Sequence, residues 1–218
     1  VTIPAGAEYV SDPIAFGVPA LSSVAISLHL PQAPLGQTSH PGARATAYYT
    51  PGDHVAASDL PGAKTMERWY LITGIEVDAP EKAGTIVAFG DSITDGRGAT
   101  TNRNDRWPDL LAERLQAGAR TRHLGVVNAG IGGNRMLLDG IGPNALARFD
   151  RDVLARPGVR AVILLEGVND LGTLTRDKPA TSEEHRALVD RMIAGYRQFI
   201  AHAHARGIRV VGATVMPY

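Results

Sequence analysis

The chain has no cysteine. That excludes a thiol nucleophile, a disulfide framework and a cysteine zinc site, and it leaves the redox compartment open. It also lacks an excess of either charge: 22 Lys and Arg residues meet 22 Asp and Glu, for a formal net charge of zero. A neutral chain has no electrostatic pull toward nucleic acid or an anionic membrane, so neither is expected as a partner. No uninterrupted apolar run is long enough to span a bilayer. The opening VTIPAGAEYV lacks the basic and apolar regions of a signal peptide. A removed leader would leave the same opening, and the expected location is secreted or periplasmic. Internal repeats and low-complexity tracts are absent, and nothing specifies an oligomeric state.

What is present divides into two halves. Residues 1–80 hold nine of the fourteen prolines, and short apolar stretches such as Val24–Leu28 lie between Pro, Gly and Asp turns. This composition predicts short strands and long loops, an antiparallel β module over 1–80. Residues 81–218 read as α/β. TIVAFG, HLGVVNAG, VRAVILLEG and IRVVGATVMP are strand-like runs. A helix is expected over Asp105–Leu115, with Pro108 in its first turn and Trp107, Leu110, Leu111 and Leu115 on one face. Thr181-Ser182-Glu183-Glu184 offers a capping box to a long helix striped by Leu188, Met192, Tyr196, Phe199 and Ala203 and closed by Gly207. Alternation at these lengths predicts a doubly wound parallel sheet with helices on both faces.

In such a sheet, ligands bind beyond the C-terminal ends of the strands. Three loops sit there: GDSITDG at 90–96, NAGIGGNRM at 128–136 and EGVNDLG at 166–172. Ser92 in the first has two readings. As an N-cap it would satisfy free N–H groups where a helix begins. As a nucleophile it would need a base, and donors aimed at the developing oxyanion. The Gly133 N–H, the Asn169 side-chain amide and the Ser92 N–H are candidate donors. Asn169-Asp170 could equally be an Asx turn that shapes its loop, with Asp170 orienting its neighbours. Asn128 and Asn134 read as turn residues. No further carboxylate or histidine is seen to join Asp91 and Asp95, so no metal is expected. GDSITDGR departs from the G-x-x-x-x-G-K-[ST] phosphate loop, so no nucleotide or other cofactor is expected.

GDSITDG, the glycine of GIGGN and the GVND stretch resemble the first three sequence blocks of the SGNH hydrolases, the GDSL-like esterases and lipases. The resemblance covers roughly 85–217, with the blocks in order. It implies a flavodoxin-like α/β fold, Ser92 as nucleophile, Gly133 (with Gly132 one residue away) as an oxyanion donor and Asn169 as another. It implies ester hydrolysis through an acyl-enzyme, on any of several ester classes; since no stretch of the sequence reads as a lipid-binding apolar run, a short acyl group on a small-molecule or carbohydrate ester is the expected substrate. The Pro-rich half looks like the β module preceding the hydrolase domain in some bacterial members.

The family draws its base from an Asp-x-x-His block near the C-terminus, and no such block is found. His123, His202 and His204 fall at the wrong edge of the sheet. His185, at the start of the long helix, falls at the right edge, while His29, His40 and His54 lie in the β module. The expectation is therefore that the β module and the α/β domain are both incomplete here, with the histidine and its aspartate C-terminal to Tyr218. The rival reading is a carbohydrate-binding or scaffold protein of the same fold that has lost its base.

Overall fold

The computed structural model describes residues 1–33 and 36–215. The first paired residues form two small antiparallel ladders. Strand β1 (Ser39–His40) pairs with β4 (Trp69–Tyr70), and β2 (Ala47–Tyr49) pairs with β3 (Lys64–Met66). The expected antiparallel module is therefore smaller than its composition suggests. Val24–Leu28 forms no strand and is exposed. A short extended segment without a neighbouring strand pairs neither its backbone groups nor its apolar side chains.

The second half carries the sheet. Strands β5 (Gly84–Gly90), β6 (Leu124–Gly130), β7 (Val159–Leu165) and β8 (Arg209–Gly212) are all parallel, in the order β6-β5-β7-β8. The chain leaves β5 toward one side and returns past it to β7. That places the topological switch point between β5 and β7, where the C-terminal ends open a crevice. The expected fourth strand is shorter than its apolar run; Met216 and Pro217 lie outside the described residues.

The helices explain the order. A single turn, α1 (Ser92–Asp95), follows β5 directly. Its backbone crosses the end of β6 so closely that a Cβ on Gly130 would stand 2.2 Å from the Asp95 nitrogen. Helix α2 (Trp107–Ala117) starts two residues later than expected, because Asp109 accepts from the Arg106 N–H at 3.1 Å and fixes the start there, with Pro108 beside it. Trp107, Leu111 and Leu115 are half-buried, but Leu110 faces solvent, so the apolar face is narrower than expected. Helix α3 (Ala145–Phe149) runs into a π-helical turn (Asp150–Leu154), and α4 (Val168–Leu174) follows β7. The long α5 (Ser182–His204) has the expected Thr181–Glu184 capping box.

The core lies between the sheet and the helices α3 and α5. Phe149 and Phe199 meet at a tilt of 47° with centroids 4.8 Å apart, and Phe89 of β5 meets both edge-on. Leu188, Met192, Phe199 and Ala203 of the predicted stripe are buried there, with Tyr196 packed at the margin. No helix among the described residues is long and apolar enough to cross a membrane.

Candidate active site

Ser92 occupies the first position of α1, not the cap. The cap is Asp91, whose Oδ1 accepts from the Ile93 N–H at 2.8 Å. The need for a cap therefore does not account for the Ser92 hydroxyl, which is half-buried and has no hydrogen-bond partner among the described residues. The turn closes behind it: the Ser92 carbonyl accepts from Gly96 N at 3.0 Å and Arg97 N at 2.7 Å.

The second loop bends at Gly133, whose φ of 73° lies in the left-handed region that favours glycine. A Cβ there would also stand 2.8 Å from Ile141. Among the described residues no acceptor takes the N–H of Ser92 or of Gly133. Two free N–H groups at strand ends are what an oxyanion needs.

The third loop is bonded to the second. Asn169 Nδ2 donates to the Asn134 carbonyl at 2.8 Å, which fixes the side chain and leaves its second amide hydrogen available. Asp170 accepts from Met136 N at 2.7 Å and Leu137 N at 3.1 Å. It thus orients its neighbours as expected, through contacts across loops and not within an Asx turn. Asn128 and Asn134 are more than turn residues. Asn128 Nδ2 donates to Thr94 O at 2.8 Å, joining β6 to α1. Asn134, 2% exposed, donates to Pro143 O and accepts from Arg148 Nε, both at 2.8 Å.

Arg148, which the sequence reading did not single out, joins all three loops. Its side chain is 0% exposed. It donates to Gly90 O at 2.9 Å, Ala129 O at 2.7 Å, Asn134 Oδ1 at 2.8 Å and Glu166 Oε1 at 3.2 Å, with Asp152 Oδ2 at 3.0 Å. Its guanidinium lies 3.9 Å over the Phe89 ring. One fork therefore gathers the ends of β5, β6 and β7, a geometry that suits a planar five-donor group.

The electrostatics beneath the loops are set by burial. Burial pushes the Glu166 carboxyl up to about 8, against the pull of Arg148. The protonated acid is thus the form present at neutral pH, and Glu166 Oε2 has no partner among the described residues. Asp91 is also raised, by burial first, with its Ile93 hydrogen bond and Arg148 opposing. The Tyr196 hydroxyl donates to Glu166 O at 2.6 Å, and burial raises it to about 12, so it remains a donor.

The histidines divide differently from the expectation. His202 lies 3.5 Å from Asp150, and His185 contacts none of Ser92, Gly133 or Asn169 by hydrogen bond among the described residues. His40, in the region whose docking the sequence does not specify, reaches Asp95 at 2.5 Å. This corrects the expectation that no histidine joins the carboxylates beside Ser92.

No curated protein matches the chain. Similar solved structures include AlinE4, described as an SGNH-hydrolase family esterase, with 20% identity over 62% of this chain and 60% of that one and a TM-score of 0.43. The acetyl xylan esterase AlAXEase has 25% identity over 59% of this chain and 56% of that one, TM-score 0.43. An aryl esterase of M. smegmatis has 29% identity over 40% of this chain and 44% of that one, TM-score 0.33. The chain thus spans less than two thirds of the length of each. Residues 88–218, more than half the chain and all three strand-end loops, match the GDSL-like Lipase/Acylhydrolase family, and the chain belongs to it.

Proposed function

We propose that the chain is a serine carboxylic-ester hydrolase that removes a short acyl group, acetyl in the first instance, from a soluble or carbohydrate alcohol. The observation that carries this reading is the state of Ser92: its turn is capped by Asp91, so the hydroxyl is unused by the fold and stands at the switch point. Membership of an acylhydrolase family supports the same chemistry. Ser92 would attack the ester carbonyl. The N–H groups of Ser92 and Gly133 and the remaining hydrogen of the Asn169 amide would hold the oxyanion. A histidine would take the serine proton and return it to the leaving alcohol, and water would then release the acid from the acyl-enzyme.

The test is hydrolysis of chromogenic esters of increasing acyl length by the whole protein as parent and by its Ser92→Ala variant. The parent should prefer the acetyl ester, and the variant should lose about 10³-fold or more in kcat with its melting temperature unchanged. An organophosphonate should label Ser92 alone. A folded parent that binds sugar esters without turning them over would favour the rival reading of a carbohydrate-binding protein.

A further inference from the structure

A helix of four residues has no stability of its own, since isolated helices need roughly 12 or more residues even to be marginal. The orientation of α1, and of Ser92 on it, is therefore set by what grips its two ends. Asp91 and the Arg148 fork hold the first. The second end is Asp95, one helical turn after Ser92, and the side chain that holds it comes from the other half of the molecule. His40 Nε2 lies 2.5 Å from Asp95 Oδ1, with the aspartate side chain 10% exposed and the histidine 32%. The imidazole is itself fixed: Trp69 of β4 stands against it, centroids 5.3 Å apart and planes inclined at 58°.

The residues after His40 continue the same grip. Arg44 Nε donates to Gly96 O at 3.3 Å. Arg106 donates to Ala43 O through Nη2 and to Asp95 O through Nε at 3.2 Å, so one guanidinium ties both halves. Asn102 N donates to Arg44 O at 2.9 Å, and the Asn102 side chain exchanges hydrogen bonds of 2.8 Å with Thr46. Ala43, at 0% exposure, is the one fully buried apolar residue among those described in 1–80. The densest packing of the first region thus falls on the turn that carries Ser92.

We propose that His40 is a positioning residue for the Ser92 nucleophile, holding the C-terminal end of α1 through Asp95. The inference rests on the ester-hydrolase reading for its kinetic consequence and on geometry alone for its structural one. His40 does not touch the reacting atoms; it acts by keeping Asp95, and with it the turn, in one orientation. Small displacements of a reacting group are costly: about 1 Å is worth up to roughly 10²-fold in rate.

The experiment compares the parent with His40→Ala, His40→Gln and Ser92→Ala. Gln retains an N–H donor that can reach Asp95. His40→Ala should lower kcat for the acetyl ester by about 10-fold or more with KM within about twofold, and His40→Gln should recover most of the loss. Amide hydrogen exchange supplies the readout that does not depend on turnover. Exchange at Ile93–Arg97 should quicken by about 10-fold in His40→Ala while β5 and β7 keep their parent rates. Parent-like kcat with a lowered melting temperature would overturn the proposal and leave His40 a docking contact only. Unchanged exchange at Ile93–Arg97 would overturn it as well. Full activity of Ser92→Ala would sink the ester-hydrolase reading instead, and the exchange result would still decide the role of His40.

Discussion

Residues 1–80 and residues 84–215 both contain many apolar side chains, but they meet opposite fates. In the first region Ile14, Phe16, Ile26 and Leu28 are more than 40% exposed. In the second, Val87, Phe89, Val162 and Leu164 are at most 1% exposed. Propensity does not separate the two sets, since both are rich in strand-forming residues. Pairing does. β5 has a parallel neighbour on each side and a helical layer over it, whereas Val24–Leu28 has no neighbouring strand. An apolar run contributes to stability only where a second surface covers it. The first region instead joins the second mainly through polar contacts, and these gather on the Ser92 turn.

That contrast can be broken most severely at Arg148, on the buried side. Arg148→Met should cost about 3–5 kcal/mol of unfolding free energy, because it leaves the Gly90, Ala129 and Glu166 oxygens buried without their donor. Urea unfolding followed by circular dichroism checks it. A loss below about 1 kcal/mol would mean that the three strand ends hold their places without the fork.

A smaller effect, read through pH, sharpens the same side. Glu166 titrates at about 8 when folded, above its ordinary 4.5. Between those values the folded protein holds a proton that the unfolded chain releases. The stability it contributes is complete below about 4.5 and is lost as pH rises through about 8. Glu166→Gln, which mimics the protonated acid, should flatten that fall. The melting temperature of parent and variant from pH 5 to 9 tests this, and parallel curves would count against a raised Glu166.

The smallest effect belongs to the exposed side. Glu8 pairs with Arg156 at 3.0 Å, with side chains 37% and 21% exposed. A pair so placed is worth at most about 1 kcal/mol. Glu8→Ala should therefore shift the urea midpoint barely at all, and less still at high salt. A large shift would show that the first region is held by more than its grip on the Ser92 turn.

Much of the site is legible in local sequence. A strand-like run that ends in Gly and a short polar residue announces a strand-end loop, and three such loops in order announce a sheet edge that binds. Ser92, Gly133 and Asn169 become candidates this way. α1, α3 and α4 are missed because four to seven residues carry too little periodicity to register. Arg148 is missed because its pattern is unremarkable on a short helix; only its 0% exposure sets it apart. His40 is missed because its partner lies 55 residues away.

The sequence by itself determined the parallel sheet and the three loops at one edge, and the order of its strands came from the structure. Those follow from period, caps and right-handed crossovers, which act over a few residues or within one βαβ unit. Only the tertiary structure decided what those loops are fastened to. Arg148 spanning three strand ends and His40 gripping Asp95 both depend on the docking of distant segments. Such contacts are fixed by shape and by the need to satisfy buried polar groups, and no local pattern records them.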